Sequence, residues 1–167
     1  YARNVALTIA EGKWLLFADS DDFFVSNFLN LLDEYNDTQA DVVYFNIKSV
    51  FSDDITKEGG RDIGKQKLFE LYHINKDETL FRLYYPEPWG KMVRHEMVKV
   101  HQIKFDETRV ANDFYFSTQV GCLAKSIEVV NKPLYVVTLR TNSLSYRYGD
   151  TKEKLLTRID VGIRVYH

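Results

Sequence analysis

Three carboxylates at the end of an apolar segment are the residues of this chain best suited to do chemistry. The apolar residues 14–18 lead directly into Asp19, Ser20, Asp21 and Asp22. A short apolar run predicts a buried strand, which we place at 13–18. Like charges at close range raise each other's pKa, and a divalent cation removes that cost. Because Mg2+ is typically held by one or two carboxylates and by substrate phosphates, this pattern predicts a metal that binds a phosphorylated substrate.

The same four residues also suit a turn and the start of a helix. Asp and Ser are favoured in turns and as helix N-caps, and Asp22 precedes a helical pattern that extends to Tyr35. Against this stands the position of the acids directly after a strand, where open α/β sheets bind their ligands. From the residues alone, both interpretations stay open.

Composition sets limits on the class of protein. The chain has 167 residues, which is one domain's worth, and a formal net charge of -2 with scattered Lys and Arg. A nucleic-acid partner would need a basic face, so we expect none. The single Cys122 rules out an internal disulfide and a multi-cysteine zinc site, and we expect it in the core. No segment resembles a signal peptide or a membrane span. We therefore expect a cytoplasmic protein, and association with the inner face of the membrane through another segment stays open.

Periodicity of apolar residues predicts alternating helices and strands. We expect helices over 2–11, 25–35, 67–74, 77–84, 112–124 and from 151 onward, and strands over 13–18, 41–47, 89–94, 126–130 and 134–139. The first strand-helix-strand unit should place its two strands side by side in parallel. A turn at 131–133 should separate the last two strands, and Asn112 should cap the helix that follows it. In that helix Phe116, Val120, Leu123 and Ala124 should face inward.

A polar, glycine-containing excursion separates the two halves of the pattern. Residues 51–66 predict a flexible surface loop and are the best internal boundary. Gly59, Gly64 and Lys65 have the spacing of a phosphate-binding loop. However, Gln66 stands where that loop needs a Ser or Thr for Mg2+, so we interpret the segment as an ordinary loop.

Short motifs along the chain resemble one known family. Ala2-Arg3-Asn4, Ala10-x-Gly12 and the acids at 19–22 resemble the middle of family-2-like glycosyltransferases with the GT-A fold. Trp89-Gly90-Lys91, Asn112-Asp113 and Pro133-Leu134-Tyr135 resemble the second half of that domain, in the same order. The implied fold is α/β, a partial GT-A (nucleotide-diphospho-sugar transferase) fold with a mixed sheet and helices on both faces. It would be a single partial domain: 1–50 from the donor and metal half, the loop 51–66, and 67–167 from the acceptor half.

The resemblance also implies a role for individual residues. Asp19 would lie near the ribose and the metal, and Asp21 would be the main ligand of Mn2+ or Mg2+. Arg3 would lie near the donor-binding cleft, and Trp89 on the acceptor-side wall. Asp113 would be the general base that accepts the proton of the acceptor hydroxyl. Without the resemblance, Asp113 is a favourable first-turn acid, Trp89 a core residue and Arg3 a surface arginine.

The implied reaction is the metal-dependent, inverting transfer of a sugar from a nucleotide diphosphate sugar to an acceptor hydroxyl. The acceptor would be a glycan or a lipid-linked sugar, and the setting bacterial surface-polysaccharide synthesis. Two departures from the family pattern matter. Asn112 stands where the family usually has a Glu before the base. The family's nucleotide-binding first strands have no counterpart here, so we expect a fragment that begins after them and is cut at both ends.

Two further interpretations compete with this one. The chain could be an inactive structural or interaction module that dimerises through the sheet exposed by the missing strands. It could also be an aspartate-nucleophile phosphatase, in which Asp19 attacks phosphorus and Asp21 is the acid and base. Phe23 stands where that family expects Thr or Val. A calcium loop starting at Asp19 is excluded, because Phe24 and Asn30 occupy the positions of its Gly and Glu.

Overall fold

The protein is described by a computed structural model that covers residues 2–108, 111–140, 156, 159–160 and 163–164. Its helices are α1 (Ala2–Ile9), α2 (Phe28–Tyr35), α3 (Ile63–Asn75), α4 (Thr79–Tyr84), α5 (His95–Val100) and α6 (Asn112–Leu123). Its strands are β1 (Trp14–Leu15), β2 (Phe23–Phe24), β3 (Val42–Phe51), β4 (Lys91–Arg94) and β5 (Ile127–Leu139). Of the helix predicted from 151 onward, residues 156, 159–160 and 163–164 are helical, and the rest lies outside the described residues.

The strands of the described residues form one mixed sheet. Its order is β1-β4-β3-β5-β2, with β3 and β5 parallel and the other neighbours antiparallel. We predicted that the strands at 13–18 and 41–47 would be direct neighbours. This prediction was wrong, because β4 lies between β1 and β3. Both of those strands run antiparallel to β4, so they still point the same way. Their carboxyl ends therefore meet at the same edge of the sheet as the end of β5.

Helices cover both faces of this sheet. Side chains alternate along β3, so Val42 and Tyr44 join a core cluster with residues of α3 to α6, whereas Val43 and Phe45 join a second cluster that contains Leu31 of α2. All four of these β3 side chains are fully buried. A strand buried on both faces explains why this segment is a nearly continuous apolar run.

The last strand differs from the prediction. The expected turn at 131–133 is absent from the described structure, and β5 continues from 127 to 139 with a shift in register. Phe45 lies opposite Val130, whereas the next residue of β3, Asn46, lies opposite Pro133. The Asn46 side-chain amide donates to Asn131 Oδ1 at 2.7 Å. A bulge thus accommodates the extra residues, and a bulge is where a sheet tolerates proline.

Several boundaries also differ from the sequence-based ones. Only residues 14–15 of the predicted strand 13–18 pair with a neighbour, and Ala18 is exposed. Helix α3 starts at Ile63, so the end of the predicted loop 51–66 is helical. Earlier residues of that segment are bonded back to β3, since Ser49 Oγ donates to Asp62 Oδ1 at 2.5 Å. The division of the chain at this segment stays a prediction.

Helix α6 differs from its prediction at both ends. Ala111, with a φ of 59°, is the residue that precedes the helix, so Asn112 is not the N-cap. Near the other end Cys122 is exposed and Leu123 is 37% exposed, so the prediction that both face the core was wrong. Phe116 and Val120 are buried as predicted. Cys122 lies off the helix face that carries Phe116 and Val120. Leu123 lies on that face, seven residues after Phe116, but it is exposed at the last position of the helix.

Gly121 is the position at which α6 packs most closely on α4. A Cβ there would lie 2.2 Å from the backbone oxygen of Arg82. We expect Gly121→Ala to lower the free energy of unfolding by about 1–3 kcal/mol through overpacking. Gly64 in α3 is the matched control, because a Cβ at that position would have no atom of the described residues within 4 Å. Gly64→Ala should instead raise stability by about 0.5–1 kcal/mol in urea unfolding, and equal effects would contradict the packing argument.

Candidate active site

Arg3 joins two of the carboxylates that the sequence singled out. From α1, its Nη2 donates to Asp19 Oδ1 at 2.6 Å, and its Nη1 donates to Asp113 Oδ1. The side chains of Arg3, Asp19 and Asp113 are 27%, 37% and 31% exposed, so a ligand can reach them from solvent. The structure therefore brings together three predicted site residues that lie up to 110 positions apart in the chain.

An aromatic cluster explains why these distant residues meet. Phe105 and Phe116 stack with ring centroids 3.9 Å apart, and Phe17 contacts both rings edge-on. Phe17 lies two residues before Asp19, and Phe116 lies three residues after Asp113. Packing of these rings in the core thus fixes the separation of the two carboxylates. Such edge-to-face and offset contacts add about 0.5–1.5 kcal/mol each beyond the area they bury.

Asn4 completes this scaffold beside Arg3. Its side-chain Nδ2 donates to the Phe105 carbonyl at 2.9 Å, and its Oδ1 accepts from the Phe105 amide at 2.8 Å. The Arg3 guanidinium lies 5.2 Å from the centre of the Phe105 ring. Two consecutive residues of α1 therefore have different roles. Asn4 binds the backbone of Phe105, and Arg3 binds the carboxylates of Asp19 and Asp113.

The electrostatic environment of Asp113 suits a proton acceptor. Burial raises the pKa of the Asp113 carboxyl, and the nearby Asp19 and Glu87 charges act in the same direction. The Arg3 guanidinium opposes them and lowers that pKa. Asp113 lies in the first turn of α6, where the helix dipole also favours an ionised carboxylate. A partly desolvated carboxylate with a raised pKa is a stronger base than an exposed aspartate.

The three predicted acids lie in a loop of residues 19–22, called the acidic loop, which is attached to β5. Asp22 does not cap α2, whose preceding residue is Asn27. Its Oδ1 accepts from the Thr138 amide at 2.8 Å, and its Oδ2 accepts from the Tyr135 hydroxyl at 3.1 Å. Burial raises the pKa of the Asp22 carboxyl, with the two hydrogen bonds acting against it. Of the three carboxylates, Asp22 thus has a structural role.

Asp21 has a different environment. Its side chain is exposed, and the hydrogen bonds and ion pairs of the described residues leave its carboxylate without a partner. The described residues contain no group of three or more His, Cys, Asp or Glu that could hold a metal by themselves. A free carboxylate at a sheet edge, with Asp19 two residues away, fits a cation that is completed by substrate phosphates.

Trp89 is a buried residue that contacts Tyr135 of β5. It is 4% exposed, and its ring stacks on Tyr135 with centroids 5.5 Å apart and planes inclined by 16°. The Tyr135 hydroxyl accepts a hydrogen bond from the Asp19 amide at 2.8 Å. Trp89 is therefore connected to the acidic loop through Tyr135.

Several residues of the site were missed by sequence reasoning. Tyr135 and Asn4 were quoted only as parts of motifs, and neither Thr138 nor Phe105 was singled out. Tyr135 is fully buried, yet its hydroxyl bonds two polar groups of the loop. No local pattern reports such a contact, because Tyr135 and Asp19 lie 116 positions apart.

Among the described residues, no helix is both long enough and apolar enough to span a membrane. Leu156, Ile159 and Ile163 are exposed apolar residues at described helical positions.

Comparison with known proteins identifies relatives of this chain. The family model of glycosyl transferase family 2 matches residues 1–101. The uncharacterized glycosyltransferase EpsJ of Bacillus subtilis is 30% identical over 86% of this chain, and the alignment covers 43% of EpsJ. The Escherichia coli protein WfaP, a UDP-Glc:alpha-D-GlcNAc-diphosphoundecaprenol beta-1,3-glucosyltransferase, is 23% identical over 99% of this chain and 62% of its own length. The chain thus spans less than two thirds of either relative.

Solved structures with the same fold include TarS of S. aureus. The crystal structure of TarS residues 1–349 matches with a TM-score of 0.64 and 29% identity, over 81% of this chain and 39% of that one. Its complex with UDP-GlcNAc matches with a TM-score of 0.66 and 22% identity, over 96% and 45%. The expected partial GT-A fold, with a mixed sheet and helices on both faces, is confirmed. Because the family model covers more than half of the sequence, the chain belongs to glycosyl transferase family 2.

Proposed function

We propose that this chain contributes to a metal-dependent, inverting transfer of a sugar from a nucleotide diphosphate sugar to an acceptor hydroxyl. Membership of glycosyl transferase family 2 favours sugar transfer over the phosphatase alternative. The observation that carries the proposal is the bridge formed by Arg3. One guanidinium contacts Asp19 of the acidic loop and Asp113 of α6, so a group bound at the loop lies next to a candidate base.

Asp113 is the residue that we propose to accept the proton. A general base must come within hydrogen-bond reach of the acceptor hydroxyl, and it typically contributes 10²–10⁴-fold to the rate. The partial exposure of Asp113 leaves room for that hydroxyl. The Arg3 guanidinium orients the Asp113 carboxylate and favours its ionised form by lowering its pKa, and a charge-assisted pair of this kind is stronger than a neutral hydrogen bond.

Asp21 and Asp19 are the residues that we propose to hold Mn2+ or Mg2+ together with the diphosphate. Bound there, the cation would stabilise the negative charge that builds on the leaving nucleoside diphosphate. Asp21 contributes a free and exposed carboxylate, and Asp19 contributes the oxygen that Arg3 does not occupy. Arg3 itself is positioned to pair with a phosphate when it leaves Asp19.

The relatives indicate only the chemical class of the donor and of the acceptor. A TarS structure is described as a complex with UDP-GlcNAc, and WfaP is named for a diphosphoundecaprenol-linked acceptor. By analogy, we propose a nucleotide diphosphate sugar as the donor and a glycan or lipid-linked sugar as the acceptor. A lipid-linked acceptor would place the reaction at the inner face of the membrane, in bacterial surface-polysaccharide synthesis.

The direct test is a transfer assay on the intact protein. Nucleotide sugars, Mn2+ and glycan or lipid-linked acceptors are combined, and the anomeric configuration of the product is read by NMR. We expect product with inverted configuration, and none after treatment with EDTA. A protein that binds none of these donors and transfers no sugar would instead support the interaction-module alternative, and the sheet-mediated dimer could then be sought by light scattering.

Arg3 should set the pH dependence of the reaction. Because its guanidinium lowers the pKa of Asp113, the change Arg3→Gln should raise that pKa and leave less of the base ionised at acidic pH. The acidic limb of the kcat/KM profile should therefore move to higher pH, whatever the change in the maximal rate. Arg61→Gln, at an exposed arginine, should leave the limb in place. An unmoved limb in Arg3→Gln would show that the titrating base is not Asp113.

A further inference from the structure

We propose that Tyr135, assisted by Thr138, is a positioning residue that holds the acidic loop in the conformation that binds the metal and the diphosphate. This inference rests on the proposed function and adds to it a residue on a different strand. The described hydrogen bonds of the Tyr135 hydroxyl reach neither the Asp21 carboxylate nor Asp113, so it would act through the Asp19 amide and the Asp22 carboxylate of the loop.

The hydroxyl of Tyr135 connects the two ends of the loop. It accepts from the backbone amide of Asp19 at 2.8 Å and donates to Asp22 Oδ2 at 3.1 Å. The Asp22 amide in turn donates to the Asp19 carbonyl at 3.2 Å, which closes the turn. The two residues that flank Ser20 and Asp21 are thus held by one oxygen atom.

Thr138 holds the same loop three residues further along β5. Its amide donates to Asp22 Oδ1 at 2.8 Å, and its hydroxyl donates to the carbonyl of Asp21 at 2.6 Å. Tyr135 and Thr138 therefore fix the backbone of Asp19 and Asp21 and the side chain of Asp22, while the Asp21 carboxylate stays free among the described contacts. A fixed backbone keeps the metal-binding carboxylate in place before the cation arrives, so less conformational freedom is lost on binding.

The Tyr135 ring is itself held rigidly. Trp89 stacks on one face at 5.5 Å, and Phe24 meets it edge-on at 5.4 Å. Phe24 also pairs with Tyr135 in the sheet, since β2 runs antiparallel to β5. A hydroxyl on a ring clamped in this way has a fixed position. This gives buried Trp89 a role as support for Tyr135.

Two measurements on Tyr135→Phe test the inference. The first needs neither metal nor nucleotide: hydrogen-deuterium exchange at the Asp19 amide should become about five- to tenfold faster once its acceptor is removed. The second is the Mn2+ concentration for half-maximal binding of a nucleoside diphosphate, chosen from a UDP, GDP, CDP and TDP panel, which should rise by a similar factor.

Tyr85→Phe is the matched control. Tyr85 is also a buried tyrosine, and its hydroxyl donates to the Phe45 carbonyl at 3.0 Å, away from the acidic loop. Tyr85→Phe should lower the free energy of unfolding as Tyr135→Phe does. It should leave the exchange rate at the Asp19 amide and the Mn2+ midpoint unchanged. Thr138→Val, which keeps the side-chain shape, provides a second test if Tyr135→Phe does not fold, and it should shift both quantities in the same direction.

The outcomes separate this inference from the proposed function. Unchanged exchange at Asp19, an unchanged Mn2+ midpoint, or equal shifts in the Tyr85 control would overturn the positioning role. A wild-type protein that binds no nucleoside diphosphate with Mn2+ would overturn the proposed function. In that case the exchange at Asp19, measured on the unliganded protein, decides alone whether Tyr135 holds the loop.

Discussion

Asp113→Asn should lower kcat by about 10²–10⁴-fold, which is the range that a general base contributes. Asn has nearly the same shape as Asp and can still accept a hydrogen bond from Arg3, but it cannot take the proton of the acceptor hydroxyl. The affinity for the donor should change little, because the acidic loop keeps its contacts with Tyr135 and Thr138. Initial rates of sugar transfer, together with calorimetric titration of the donor, measure both quantities.

Glu34→Gln is the control for this change. Glu34 forms an ion pair with Lys132 at 2.6 Å in which both side chains are about half exposed, and such surface pairs contribute little. It should retain the wild-type kcat. If Asp113→Asn kept more than a tenth of the wild-type rate at saturating substrate, another group would have to be the base.

Asp21→Ala should weaken Mn2+-dependent binding of a nucleoside diphosphate by about 10- to 100-fold, the equivalent of one charged interaction. Its carboxylate is exposed and free among the described residues, so the fold should not depend on it. Binding measured in EDTA should be the same in the variant and the wild type. Isothermal titration calorimetry with and without Mn2+ measures the difference.

Ser20→Ala is the neighbouring control. Ser20 is exposed in the same loop, and its change leaves the three carboxylates in place. Its binding should match the wild type in Mn2+ and in EDTA. Mn2+-dependent affinity that survives in Asp21→Ala would contradict the assignment of Asp21 as the main ligand, and Asp19 would then have to hold the cation.

The three carboxylates of the loop illustrate how one sequence pattern divides into separate roles. Asp19 pairs with Arg3, Asp22 accepts hydrogen bonds from Tyr135 and Thr138 of β5, and Asp21 is exposed to solvent. Their spacing in the sequence is compatible with a turn, a helix cap or a metal site. The cap was excluded only when the structure placed Asn27, five residues later, before α2.

Local patterns predicted most elements, and they failed where pairing across the sheet decides. The helices α1, α4 and α6 and the strand β3 lie close to their predicted positions. The predicted turn at 131–133 was wrong because its residues form a bulge opposite Asn46. The predicted pairing of the first two strands was wrong because β4, which follows them by many residues, inserts between them.

The sequence by itself determined the family, the α/β class and the acids of the Asp19–Asp22 loop, because apolar periodicity and short motifs are local properties of the chain. Only the tertiary structure decided that Arg3 joins Asp19 to Asp113, and that Tyr135 and Thr138 hold the loop. These contacts join residues 16 to 117 positions apart. The Arg3 contacts form because the rings of Phe17, Phe105 and Phe116 pack together. The Tyr135 contacts form because its ring packs against Trp89 and Phe24, and packing of both kinds depends on the whole core.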